Sequence, residues 1–189
     1  MADVSDRIIA TEWMFFDKVN NIGGRASCQD DLRTFAIMRK SQLYAWDEVT
    51  RESWLCDLRK YEIQARNPIS EKYGYMMEYS SPAEFKRIEM VLPGVSMGKR
   101  MTVTYILKVL LRWEEEVICK YPSIRGRGRP LYTKDDKPWN VSFETYARGE
   151  LYTYSERTLQ LYKAHIDRTL AAGGNLAEDI LRAMARLSG

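Results

Sequence analysis

"SWLCDLRKYEIQARNPISEK" (residues 53–72) and "LYKAHIDRTLAAGGNLAEDI" (residues 161–180) are the two stretches on which the architecture of this chain turns. Trp54, Leu58 and Tyr61 recur at helical spacing in the first, and superposing the second brings Tyr162 onto Trp54, Ile166 onto Leu58 and Asn175 onto Asn67. The match extends upstream. "EWMFFDKV" (12–19) resembles "RWEEEVICKY" (112–121), and each is followed by a glycine and arginine loop, an acidic pair, and then "TF" or "TY" opening a helix. Any two amphipathic hairpins share a period, but they do not share four features in one order. An internal duplication is therefore expected: repeat one over about 4–79, a connector over 80–97, and repeat two over about 98–189, within a single domain spanning 1–189. Two such copies pack about a pseudo-twofold axis, and sites form between them.

The rest of the chain reads as helix as well. Ile9, Trp13, Phe16 and Asn20 share one face, as do Phe35, Met38, Gln42, Ala45 and Trp46. A shorter helix follows Pro68, and a long one carries Val103, Ile106, Leu110, Trp113 and Val117. "SSPAEF" and "VLPGVSMGK" read as turn and break, and "YPSIRGRGRPLYTKDDKPW" (121–139) as an extended loop. Alternating strands are absent, so the expected class is all-α.

With 189 residues, 45% hydrophobic and 29% charged, the chain can bury a sizeable core, and 12% aromatic residues argue against disorder. A formal charge of +3 is too mild to imply nucleic acid. Cys28, Cys56 and Cys119 form no tight pair, so reduced thiols are expected. The N-terminus lacks the features of a signal peptide and no apolar run reaches membrane-spanning length, which together predict a soluble, cytoplasmic protein with no membrane association.

Polar residues on apolar faces are the candidate site. Glu12 lies among Ile8, Ile9, Phe16 and Val19 on a helical wheel, and Arg39 lies on the Phe35 face. The repeat alignment sets Glu12 against Arg112, Arg39 against Glu150 and Asp57 against His165, each pair of opposite charge. Residues related by a near-twofold can meet at the axis, where burial demands pairing. They are either structural ion pairs, or Glu12 and Glu150 are acid/base groups with shifted pKa values, with His165 behind them as a ligand-binding side chain.

The loop "NNIGGRASCQDD" (20–31) supplies Asn20, Asn21, Arg25 and Gln29 as ligand-binding candidates. Ser27 reads as an N-cap with Asp30 in capping-box position, which places Cys28 in a first helical turn where a thiolate is favoured. The alternative for Cys28 is a small apolar plug under the loop. "IRGRGRPLY" adds Arg125, Arg127 and Arg129, forks suited to carboxylate or phosphate. Arg127 to Pro130 also resembles the core of the AT-hook, a minority reading toward DNA.

Over nearly the whole chain, "EWMFFDKVNNIGGRASCQDDLRTFAIMRKSQLYAW" (12–46), "RNPISEKYGYMME" (66–78) and "GRPLYTKDDKPWNVSFETYARGELYTYSERTLQLY" (128–162) resemble the bacterial domain-of-unknown-function family numbered 4125. The resemblance implies an intracellular bacterial protein without an assigned general activity, some of whose relatives resemble partners of nucleotidyltransferase-like domains. It places Asn20, Asn21, Gly24, Arg25, Ser27, Cys28, Gln29, Asp30, Arg39, Ser41, Gln42, Arg129, Glu150 and Tyr154 in the family pattern, with Arg125 and Arg127 as additions. The leading expectation is a cofactor-independent enzyme acting on an anionic small molecule, amino-acid-like or another carboxylate, held between the repeats. Glu12, Glu150, Cys28 and Tyr154 are then its chemical groups, with no cofactor and no metal. The alternative is a noncatalytic module binding a nucleotide, a protein or, less readily, DNA.

Overall fold

Side chains that cap helices punctuate the chain. The computed structural model describes residues 3–20, 24–125, 128–137 and 140–189, of which 124 and 125 as backbone only. Within it lie α1 (Val4–Asp17), α2 (Leu32–Tyr44), α3 (Glu48–Ile63), α4 (Pro68–Ser80), α5 (Pro82–Ile88), α6 (Met97–Lys120), α7 (Pro122–Arg125), α8 (Phe143–Thr153), α9 (Glu156–Ala171) and α10 (Leu176–Ser188). Asp3, Asp31, Asp47, Asn67, Ser96, Ser142, Ser155 and Asn175 each accept a backbone N–H from the first turn of α1, α2, α3, α4, α6, α8, α9 and α10 respectively. Such caps satisfy donors that no intrahelical carbonyl can reach. Among the described residues no β-strand forms, and one isolated bridge joins Lys137 to Asn140.

Several local features recur along the chain. Asn67 and Asn175 also donate through Nδ2 to the backbone of an earlier helix, at Phe15 O (2.8 Å) and Trp113 O (3.2 Å). The helix ends before them turn through a positive φ, at Ala65 (52°) and Gly173 (71°). Asp57 accepts from Ser155 N and Thr158 Oγ1 at the start of α9, while His165 Nε2 lies 2.8 Å from Ala45 O beside the start of α3.

Helix α4 packs on α8, α2 on α10, α3 on α9, and α6 on α8, α9 and α10. The α4–α8 contact is the tightest. A Cβ at Gly149 would lie 2.7 Å from both Lys72 O and Met76 Cγ, so only glycine permits this approach. Ile8, Leu43, Leu58, Val103, Ile106, Trp113, Leu159 and Ile166 fill the interior between the layers.

Two local expectations change. Residues 80–97 hold α5 and a 3₁₀ turn, Glu89–Val91, rather than turns alone. Ser27 opens no α-helix: Ser27–Asp30 is a 3₁₀ turn flanked by Ala26, and α2 begins after Asp31, whose carboxylate accepts from Thr34 N at 2.9 Å. The side chain of Gln29 spans this turn, its Oε1 accepting Ala26 N at 2.9 Å.

Candidate functional site

Arg39 on α2 joins three helices. Its Nε and Nη2 donate to the two oxygens of Glu12 on α1, at 2.6 and 2.7 Å, in the bidentate geometry that makes such pairs strong. Nη1 donates to Glu150 on α8 at 3.0 Å and also to Gln42 Oε1. Glu12 additionally accepts from Trp54 Nε1 at 2.7 Å. Glu150 accepts from Tyr154 OH (2.8 Å) and from Lys72 Nζ on α4 (3.3 Å). Two carboxylates and two cations thus alternate through a site where side-chain exposure is 2% at Glu12, 7% at Lys72, 11% at Arg39 and 18% at Glu150.

A cavity of about 300 Å³ opens on one side of this chain of charges. Phe16, Phe35, Met38, Trp54, Pro68, Ile69, Tyr73 and Tyr146 provide its apolar and aromatic walls. Glu12, Asp31, Arg39, Lys72, Arg129 and Glu150 line it as well, with Cys28, Thr34, Gln42 and Thr153. Lys72 Nζ and the Arg129 guanidinium both lie against Tyr146, 3.8 and 4.5 Å from the ring centroid. Arg129 donates to Val141 O, and no carboxylate among the described residues lies within ion-pair distance of it. A cavity of this size and mixed lining has room for a small molecule.

Burial and neighbouring charge oppose each other at Glu150 and Lys72. Burial disfavours ionised Glu150, yet Arg39 and Lys72 outweigh it and bring the carboxyl down to about 2. Burial also opposes the Lys72 ammonium, but Tyr146 and Glu150 hold it above the ordinary lysine range. The Tyr154 phenol is pushed well up, by burial first and then by the negative charge of Glu150. None of these three groups is poised to exchange a proton near neutrality.

The structure brings together Glu12, Cys28, Arg39, Gln42, Arg129 and Glu150 around one cavity. Tyr154 stands behind Glu150 and faces a smaller cavity of about 90 Å³. Arg25 lies outside, exposed, clamping Asp17 and Asp30 and reaching Gln29 O. Gln29 is buried but spends its amide on Phe16 O and Val19 O, fastening the loop to the end of α1. Asn20 is exposed, and Asn21, Arg127 and the Arg125 side chain lie outside the described residues. His165 sits at the start of α3, with Nδ1 3.6 Å from Asp47. Of the charge pairs expected across the repeats, Arg39 and Glu150 meet. Arg112 instead faces water and pairs with Glu116 on its own helix, leaving Glu12 to Arg39, and Asp57 and His165 each serve a different helix start.

Lys72, Asp31 and Tyr146 are site residues that the sequence reading missed. Lys72 carried a usable signal, because it falls four residues after Pro68 and four before Met76, on the buried face of α4. Among the described residues no group of three or more His, Cys, Asp or Glu side chains is arranged to hold a metal ion, and no helix is long and apolar enough to cross a membrane.

Fold and cavity together define an all-helical protein with a pocket lined by paired charges. The chain belongs to the family described as "Protein of unknown function (DUF4125)", whose profile matches residues 2–189. Comparison with curated proteins and with solved structures returned no match.

Proposed function

We propose that the cavity binds a small, amino-acid-like carboxylate. Its apolar body would lie among Phe16, Phe35 and Trp54 and its carboxylate would meet Lys72 and Arg129. The observation that carries this reading is the convergence of two cations on Tyr146 at the cavity wall, one of them, Arg129, without a carboxylate partner among the described residues. Arg39 is the holder of the wall rather than of the guest, since Glu12, Gln42 and Glu150 already occupy its guanidinium. Asp31 at the same cavity suits an ammonium group, which extends the reading from simple carboxylates to zwitterions.

The two halves of the chain are read as copies of one unit, supported by the paired asparagine caps and the positive-φ helix ends at Ala65 and Gly173. In that reading Arg39 and Glu150 stand at equivalent places and meet near the axis between the copies. A binding role fits the fixed protonation of Glu150, Lys72 and Tyr154 better than acid–base catalysis does. If the guest is transformed, the thiol of Cys28 at the same cavity is the group left to act. A pocket of this size suits a small molecule over a nucleic-acid strand or a nucleotidyltransferase-like partner.

Calorimetry and thermal melts with L-phenylalanine, phenylacetate and the neutral phenylacetamide test the proposal. The two carboxylates stabilise the protein, by about 2.7 kcal/mol at a hundred times Kd, and the amide does not. Equal stabilisation by the amide, or none by either carboxylate at millimolar concentration, would overturn it.

A further inference from the structure

A separate cavity of about 270 Å³ lies between the end of α3, the turn at Pro93 and Gly94, the start of α6 and the junction of α8 with α9. Three cations, Lys60, Arg66 and Lys99, line it, against the single carboxylate of Asp57. The carboxylates around it are committed elsewhere. Asp57 Oδ2 accepts from Ser155 N at 2.9 Å and Thr158 Oγ1 at 2.6 Å, with Lys60 3.5 Å from its other oxygen. Glu71 takes Arg66 bidentately at 2.7 Å, and Glu156 accepts from Ser96 Oγ at 3.3 Å.

Lys99 stands apart from this pairing. Among the described residues no carboxylate lies within ion-pair distance of its ammonium, although the side chain lines the chamber. Burial lowers the Lys99 ammonium from its ordinary range; Glu156, Asp57 and Glu71 counter this in part, and Arg66 repels it. Lys99 belongs to the first turn of α6, where Ser96 Oγ already accepts its backbone N–H at 3.1 Å, so the side chain and not the helix end is what the cavity receives from α6. The rings of Tyr75 and Tyr152 form walls that suit an organic moiety.

We infer that this cavity is a second ligand site, taking a phosphorylated small molecule whose phosphoryl group is held by the ammonium groups of Lys99 and Lys60. Lys99 has no carboxylate within ion-pair distance among the described residues and Lys60 keeps only a 3.5 Å contact with Asp57, so two ammonium groups can turn to one dianion, which favours a phosphoryl group over a monocarboxylate. This site shares only Thr153 with the cavity beside Arg39, so the two proposals stand or fall separately.

The test is a calorimetric titration of the full chain with inorganic phosphate and with phenyl phosphate, on the parent, Lys99→Met, Lys99→Arg and Lys72→Met. Both probes bind saturably to the parent, Lys99→Met weakens them by about tenfold or more, and Lys99→Arg and Lys72→Met stay within roughly twofold. Thermal melts of each variant establish that it is folded, and Lys99→Arg keeps the comparison open should Lys99→Met not fold. The inference fails if the parent shows no saturable binding, if folded Lys99→Met binds like the parent, or if Lys72→Met is the variant that loses phosphate.

Discussion

The Arg39–Glu150 pair has a cavity on either side, and the two differ in size and in charge away from their shared wall. Arg39, Gln42, Tyr146 and Glu150 line both. On one side they join Glu12, Asp31, Lys72 and Arg129 around about 300 Å³; on the other they face Leu110, Leu151, Leu176 and Ile180, with Glu114, around about 90 Å³. One charged partition thus serves a larger cavity ringed by four further charged side chains and a smaller one that adds only Glu114, both mainly apolar in their lining. The smaller cavity then acts as a low-dielectric backing that keeps the partition's charges dependent on one another.

Removing the partition should have the largest effect. Arg39→Met leaves Glu12 and Glu150 as buried carboxylates without their main partner, and urea unfolding should show a loss of about 3–5 kcal/mol. A loss below about 1 kcal/mol would mean that water already reaches the pair. Gly149→Ala comes next. Its added methyl presses on Lys72 O and Met76 Cγ, so we expect about 1–3 kcal/mol of destabilisation together with weaker carboxylate binding, because Lys72 must move.

Acid should dissolve the same partition. The folded pKa of Glu150 lies near 2, below its ordinary 4.5, so its ionisation adds stability that is fully present above about 4.5 and is lost as pH falls toward 2. Stability of the parent should therefore fall more steeply over that window than stability of Glu150→Gln; parallel curves would refute the assignment. The smallest effect is expected on the other side. Ala147→Val adds volume to the smaller cavity alone, and should change stability by less than about 1 kcal/mol while leaving carboxylate affinity unaltered.

Much of the fold was readable before the structure because helical periodicity survives in the sequence wherever one face is buried, as at Trp54, Leu58 and Tyr61. The meeting of Arg39 and Glu150 was anticipated for a different reason: the proposed repeat sets two opposite charges at corresponding places, and the contact forms. Register limited that reasoning. Aligning the tryptophans put Arg112 opposite Glu12, but Arg112 projects from the exposed side of α6 and only the three-dimensional packing of α1 on α2 shows that Arg39 serves Glu12. The polar loop of residues 20–31 misled in another way. Arg25 and Gln29 look like ligand groups in sequence, yet their hydrogen bonds go to Asp17, Asp30 and the carbonyls of Phe16 and Val19, partners that no local pattern reveals. Lys72 was overlooked for the opposite reason, since a lone lysine within a helix ordinarily reads as surface.

Two tryptophans offer an internal readout of which chamber receives a guest. Trp54 lines the charged cavity and donates its indole N–H to Glu12, whereas Trp46 lines the smaller one. Titration with L-phenylalanine, followed through assigned indole N–H resonances, should shift Trp54 progressively and saturably and leave Trp46 in place. Movement of Trp46 alone, or of neither, would contradict binding in the charged chamber.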